Sequence, residues 1–154
     1  MSRRASIGLS EAEVADFLDA KETIVIVSNG VGGSPHPMPM WFARDEEGFI
    51  RMTTYRKSQK IRNIERDPRV SLLAESGIDY AELKGVVIYG RAELIDDEEL
   101  ALDTMRRIGE KAGRPTQAGS PDEGMRRNAA KRLVIRVKPD KIVSWDHAKL
   151  GGAY

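Results

Sequence analysis

The 154-residue chain contains no cysteine, which excludes disulfides, thiol catalysis and thiolate metal sites at once. Its two histidines, His36 and His147, stand far apart, so no histidine-rich metal centre is expected within one chain. Long hydrophobic runs are missing as well. The longest, Ile24 to Val27, falls far short of the roughly 18–20 residues that a membrane helix needs, and no membrane partner is expected. Met1-Ser-Arg-Arg-Ala5 lacks the apolar segment of a signal peptide, which makes a cytoplasmic protein the expectation. Neither sign of charge dominates: 25 basic against 24 acidic residues leave +1, unlike a surface built to seek polyanions. No Gly-x-Ser-x-Gly elbow, Walker loop or Rossmann fingerprint occurs, so catalysis would have to borrow its reactivity from a cofactor.

What is present is a β-rich pattern, expected to form one domain over 1–154. Leu9 to Leu18 reads as a helix whose Ser10 and Glu13 form a capping box, with Val14, Phe17 and Leu18 as its buried stripe. Thr23 to Val27 is a β-branched strand, followed by a turn-rich loop to Pro35. His36 to Ala43 is apolar but carries Pro37 and Pro39, which cannot donate to a ladder and so predict an edge strand. A hairpin at Asp45–Gly48 returns as a strand over Phe49–Thr54, and Ser58 to Glu65 has the period of a short helix. Further strands are predicted at Val70–Ala74, Gly85–Ile95 (with a bend at Gly90), Leu133–Val137 and Lys141–Trp145. Helices are predicted from Asp96 to about Lys111 and from Met125 to Lys131, on either side of a loop from Gly113 to Gly124. Six or seven strands with hairpin links and peripheral helices describe an α+β, mainly β, closed or half-closed antiparallel barrel.

Charge is unevenly placed. Arg51 to Arg69 holds seven basic residues against Glu65 and Asp67, while Glu93 to Asp103 holds six acids and no base. Within the basic stretch a strand ends in Thr53-Thr54, a loop carries Lys57, and a helix starts near Ser58. The free N–H groups and positive dipole of that first turn, with Lys57 and Lys60, would suit a phosphate. The other reading is a solvated helix face with Ser58 as an ordinary cap. On the proline strand, Met38, Met40, Trp41 and Phe42 offer a surface for a flat ring system, or else plain core. Nucleic-acid binding by the basic unit is disfavoured, because Tyr55 is its one aromatic.

Pro37-Met-Pro-Met-Trp-Phe42, Thr53-Thr54, Ser58-Gln-Lys60, Arg66-Asp-Pro-Arg-Val-Ser-Leu72, Gly90-Arg-Ala-Glu-Leu94 and Trp145 together resemble the pyridoxamine 5′-phosphate oxidase-like split β-barrel family. The resemblance spans about 10–146, leaving 147–154 as a tail, and is nearest to the flavin/deazaflavin oxidoreductase branch. It implies cofactor binding by Met38, Pro39, Met40, Trp41, Thr53, Thr54, Lys57, Ser58, Lys60 and Trp145. Ser58 and Lys60 match phosphate ligands, Thr53 and Thr54 the strand end at the phosphate and ribityl chain, and Pro39–Trp41 the strand along the ring. Trp145 matches a residue reaching the cofactor from the partner of a homodimer. The implied activity is hydride transfer between coenzyme F420, or FMN, and a small unsaturated or planar organic substrate. The alternative is a non-catalytic flavin, deazaflavin or haem binder. F420 is favoured because its polyanionic tail needs a broad basic groove, which Arg56, Lys57, Lys60 and Arg62 would supply. Three departures count against a true pyridoxamine phosphate oxidase. Gln59 stands where the family has an arginine, Phe42 replaces the substrate-phosphate lysine, and Asp146-His-Ala-Lys149 replaces the C-terminal Arg-x-His-x-Arg signature. No catalytic side chain and no metal ligand is assigned.

Overall fold

The computed structural model describes residues 3–114 and 123–152. Most of the predicted Gly113–Gly124 loop lies outside them. A short helix α1 (Arg3–Ser6) precedes α2 (Glu11–Ala20), which begins with the expected capping box. The Ser10 hydroxyl accepts from the Glu13 N–H at 3.2 Å, and the Glu13 carboxylate accepts from the Ser10 N–H at 2.7 Å. Then come β1 (Thr23–Asn29), β2 (Pro35–Trp41), β3 (Ala43–Arg44), β4 (Ile50–Tyr55), α3 (Gln59–Arg66), β5 (Arg69–Ser76), β6 (Lys84–Ile95), α4 (Glu98–Lys111), α5 (Glu123–Ala129) and β7 (Arg132–Asp146).

The seven strands form one antiparallel sheet in the order β2-β1-β5-β6-β7-β4-β3. Its two edge strands, β2 and β3, are consecutive in the chain and separated by Phe42 alone. A flat sheet would hold them six strand spacings, about 29 Å, apart. The sheet therefore curls until its edges meet at Phe42, which is completely buried. Because β3 pairs only Ile50 and Arg51, the outer edge of β4 from Met52 onward is open, and so is the edge of β2. The barrel is split along that seam.

Alternation sorts the side chains. Ile24, Ile26, Leu72, Val86, Ile88, Ile135, Val137, Ile50 and Met52 point inward, and Phe17 and Leu18 of α2 with Ile61 and Ile64 of α3 complete the core. Outside β4 and the start of β7, Ala101 and Leu102 of α4 and Ala129 of α5 pack on Val134 as a second, smaller core.

Two predicted strands, Leu133–Val137 and Lys141–Trp145, are one. Lys138-Pro-Asp140 reads as a turn in sequence, but β7 runs straight through it, with a register shift opposite Tyr89 and Gly90 that leaves Asp140 as the extra residue. Gly90 is needed there, since a Cβ would overlap the Lys138 carbonyl oxygen. The tail forms a short helical turn over His147–Leu150. It docks through His147 Nδ1 on the Tyr80 carbonyl oxygen (2.8 Å) and through Lys149 on Glu13 (2.8 Å). Among the described residues no helix is long and apolar enough to cross a membrane.

Candidate functional site

The strand end Thr53-Thr54 divides between the two faces of β4. Thr54 points inward to α3, whereas Thr53 points outward beneath α4 and α5. Lys60, in the first turn of α3, donates from Nζ to Thr54 Oγ1 at 2.9 Å, and the Ser58 and Thr54 hydroxyls are 3.3 Å apart. Ser58 holds the N-cap position without capping the helix by its side chain, so its hydroxyl stays with Thr54 and Lys60.

Lys60 is only 7% exposed, burial pushes its pKa down, and no carboxylate among the described residues lies within ion-pair distance. One of its three donors is used. A buried ammonium without a counter-ion is costly unless an anion joins it. The helix presenting it is firmly seated: the fully buried Asn63 donates to Ser28 of β1 at 3.0 Å and accepts from Gln59 at 2.9 Å.

Three of the seven cations in the surrounding basic stretch are paired with carboxylates, two of them from the acidic stretch that follows β6. Arg51 is paired with Asp103 at 2.8 Å, Arg56 is gripped by both oxygens of Asp96 at 2.5 and 2.6 Å, and Arg69 holds Asp67 at 2.8 Å. The broad groove expected from Arg56, Lys57, Lys60 and Arg62 is thus narrower than the sequence suggests, because Arg56 is spent on Asp96. Lys57 and Arg62 remain exposed.

A cavity of about 500 Å³ opens at the seam, lined by Pro39, Met40, Trp41 and Phe42 from one side and Thr53 from the other. Its outer wall is α4, through Met105, Ile108 and Lys111, closed by Arg114, Asn128 and Arg132. Met38 lies one inward position before Met40, opposite Ile26, and does not line the cavity. Neither histidine does: His147 is held by Tyr80, and His36, opposite Ser28, has a buried Nδ1 with no partner.

The sequence reading missed the cavity's three cations. Lys111 Nζ sits 3.4 Å from the Phe42 ring centroid, the Arg132 guanidinium 4.3 Å from Tyr55 and that of Arg114 5.0 Å from Trp41. Burial lowers the Lys111 pKa to about 8. A signal for Lys111 existed, since it extends the helical face of Met105 and Ile108.

Trp145 lies far from this cavity within one chain. It does not line the cavity and stands at the opposite end of β7 from Val134, the partner of Thr53. Its ring covers Gly85, where a Cβ would overlap it. Between Trp145 and Trp41 stretches the outer face of five strands. Its central cross-strand row is Pro39–Val25–Leu73–Val87–Val143, each at least partly exposed, and no described helix covers it.

The chain matches the pyridoxamine 5′-phosphate oxidase family over residues 10–146, and it belongs to that family. The curled seven-stranded sheet is the family's split barrel, mainly β. No curated protein sequence matches it. Among solved structures, the conserved hypothetical protein Rv2991 from Mycobacterium tuberculosis is 36% identical with a TM-score of 0.91, over 100% of this chain and 95% of that one. An F420 reductase is 23% identical with a TM-score of 0.63, over 82% and 93% of the two chains. HutZ, the haem storage protein from Vibrio cholerae, is 17% identical with a TM-score of 0.66, over 88% and 96%. At such identities the last two show a shared fold.

Proposed function

We propose that the protein is an oxidoreductase using coenzyme F420, with FMN as the alternative cofactor, and that Lys60 is the anchor for the cofactor's phosphate. The observation that carries this is the buried Lys60 ammonium, held by Thr54 beside Ser58 and lacking any carboxylate. A phosphate there would take up its unused donors and meet the uncapped start of α3. The anchor itself does not line the cavity; a ring bound across the seam between the open edges of β4 and β2 would reach Pro39, Met40 and Trp41, where prolines leave no competing N–H groups. Lys57 and Arg62, the exposed cations left beside this anchor, favour the longer anionic tail of F420. The likeness to an F420 reductase agrees with that choice.

The bound ring would supply the hydride chemistry, moving two electrons and a proton to or from an unsaturated organic substrate. The chain's own residues hold the phosphate, orient the ring and keep water from one of its faces. Neither imidazole lines the cavity, which favours a flavin-type cofactor over a haem.

The reading includes a homodimer. The uncovered row from Pro39 to Val143 spans about 19 Å and is apolar throughout, the kind of patch that marks an interface. A two-fold axis through its middle would carry Trp145 of one subunit toward Trp41 and the cavity of the other. The implied role of Trp145 then makes sense despite its distance within one chain.

Equilibrium dialysis of F420 and of FMN against the wild type and Lys60→Ala tests the site. Loss of one charge-assisted contact should weaken binding by about 1.5–3 kcal/mol, roughly ten- to hundredfold. Unchanged binding of both cofactors would remove the assignment.

A further inference from the structure

Three cations surround the cavity at the seam, and each rests on an aromatic ring: Lys111 on Phe42, Arg132 on Tyr55 and Arg114 on Trp41. An aromatic face holds a cation in place without cancelling its charge or consuming its N–H donors. Several arginines are matched by carboxylates, as in Arg44–Asp19, Arg51–Asp103, Arg56–Asp96 and Arg136–Asp45. Among the described residues, Lys111 and Arg132 have no carboxylate within ion-pair distance. Lys111 donates to the Phe42 carbonyl oxygen at 3.3 Å and Arg132 to Asn128 Oδ1 at 3.0 Å, both neutral acceptors. Arg114 has a long contact to Glu22 at 3.8 Å. Met40, Trp41, Met105 and Ile108 give the wall an apolar part that suits a flat hydrocarbon body, while Thr23, Thr53, Asn128 and the Glu22 carboxylate, beside Arg114, complete the lining.

We infer that this cavity binds a planar organic carboxylate as a second ligand beside the cofactor, its carboxylate received by Lys111 and Arg132 and its flat body set against Met105 and Ile108. The inference deepens the proposed function by naming the substrate class of that site, and it uses residues that the phosphate anchor does not. Partly buried cations with spare donors attract an anion more strongly than solvated ones do, because the cavity's lower polarity strengthens the interaction. The 500 Å³ volume matches a small conjugated acid.

The test uses trans-cinnamate and its uncharged analogue trans-cinnamamide, titrated by calorimetry into the cofactor-free protein. Cinnamate is expected to bind at least about tenfold more tightly than the amide. Lys111→Met and Arg132→Gln should each remove most of that preference, leaving cinnamamide affinity and dialysis of the cofactor within about threefold of wild type. Arg132→Gln serves as the independent variant should Lys111→Met unfold. Equal affinity for acid and amide, no binding of either, or a preference that survives both substitutions would overturn the inference. So would displacement of cinnamate by saturating F420, since the cations would then belong to the cofactor's tail. Because Lys60→Ala reports on the cofactor and these titrations do not contain it, failure of one reading is separable from failure of the other.

Discussion

Two partly or wholly buried lysines, Lys60 and Lys111, carry the functional argument, and they differ in what surrounds them. Lys60 has a hydroxyl partner and burial alone acting on its pKa. Around Lys111 burial is the main influence, with Asp19 and Glu22 pulling the pKa up and Arg44 pushing it down, to a result of about 8. The sign follows: Lys111 is an ammonium below about pH 8 and a neutral amine above it. Cinnamate affinity is therefore expected to fall as pH rises from about 7 to about 9 in the wild type, toward that of Lys111→Met, whose own affinity should stay flat. Calorimetric titration at several pH values checks this, and a flat wild-type profile would contradict it. Gly85 and Gly90 show a different residue-scale constraint, since a Cβ at either meets an occupied position. Gly90→Ala would push against backbone and is expected to lower stability by about 1–3 kcal/mol in urea unfolding.

At the scale of elements, local signals were legible and distant ones were not. The capping box of α2 is written in four consecutive residues, and the structure reproduces it. The same Glu13 also binds Lys149 of the tail, and the two contacts hold its pKa at about 2. A lowered carboxylate pKa contributes stability that is present above about pH 4.5 and disappears as pH falls toward 2. Glu13→Gln should accordingly loosen both the helix start and the tail at neutral pH, and thermal melts of wild type and variant should converge below about pH 2. The edge position of β2 was legible because Pro37 and Pro39 cannot donate to a ladder; the structure adds Pro35, read as loop, to the same strand and leaves His36, Met38 and Met40 to bond β1. The continuity of β7 was not, since Lys138-Pro-Asp140 has turn composition and only pairing with β6 shows that it makes a bulge. Nor was the capture of Arg56 by Asp96, a contact between positions forty residues apart. The counts of a basic run and an acidic run do not say which arginine is spent on a carboxylate and which lysine is left over.

At the scale of the whole molecule, the proposed homodimer sets a second copy on the outer face of β2, β1, β5, β6 and β7. If a second copy covers it, a charge placed in the central row should split the pair. Leu73→Arg and Val87→Arg are each expected to sediment as monomers where the wild type sediments as a dimer. They should also weaken cofactor binding, although both lie far from Lys60 in the chain's own fold. A monomeric wild type, or variants that still dimerise, would refute that arrangement and return Trp145 to a packing role.

The single buried residue that joins β2 to β3 has one more implication. Since the sheet's first and last strands hang from Phe42, a molecule lodged beside it acts as a clasp, tying together borders that share almost no backbone hydrogen bonds. Occupancy of the cavity should slow amide hydrogen exchange at Met40, Trp41, Thr53 and Tyr55 far more than in the β5–β6 pair, giving a readout of ligand capture that needs no turnover at all.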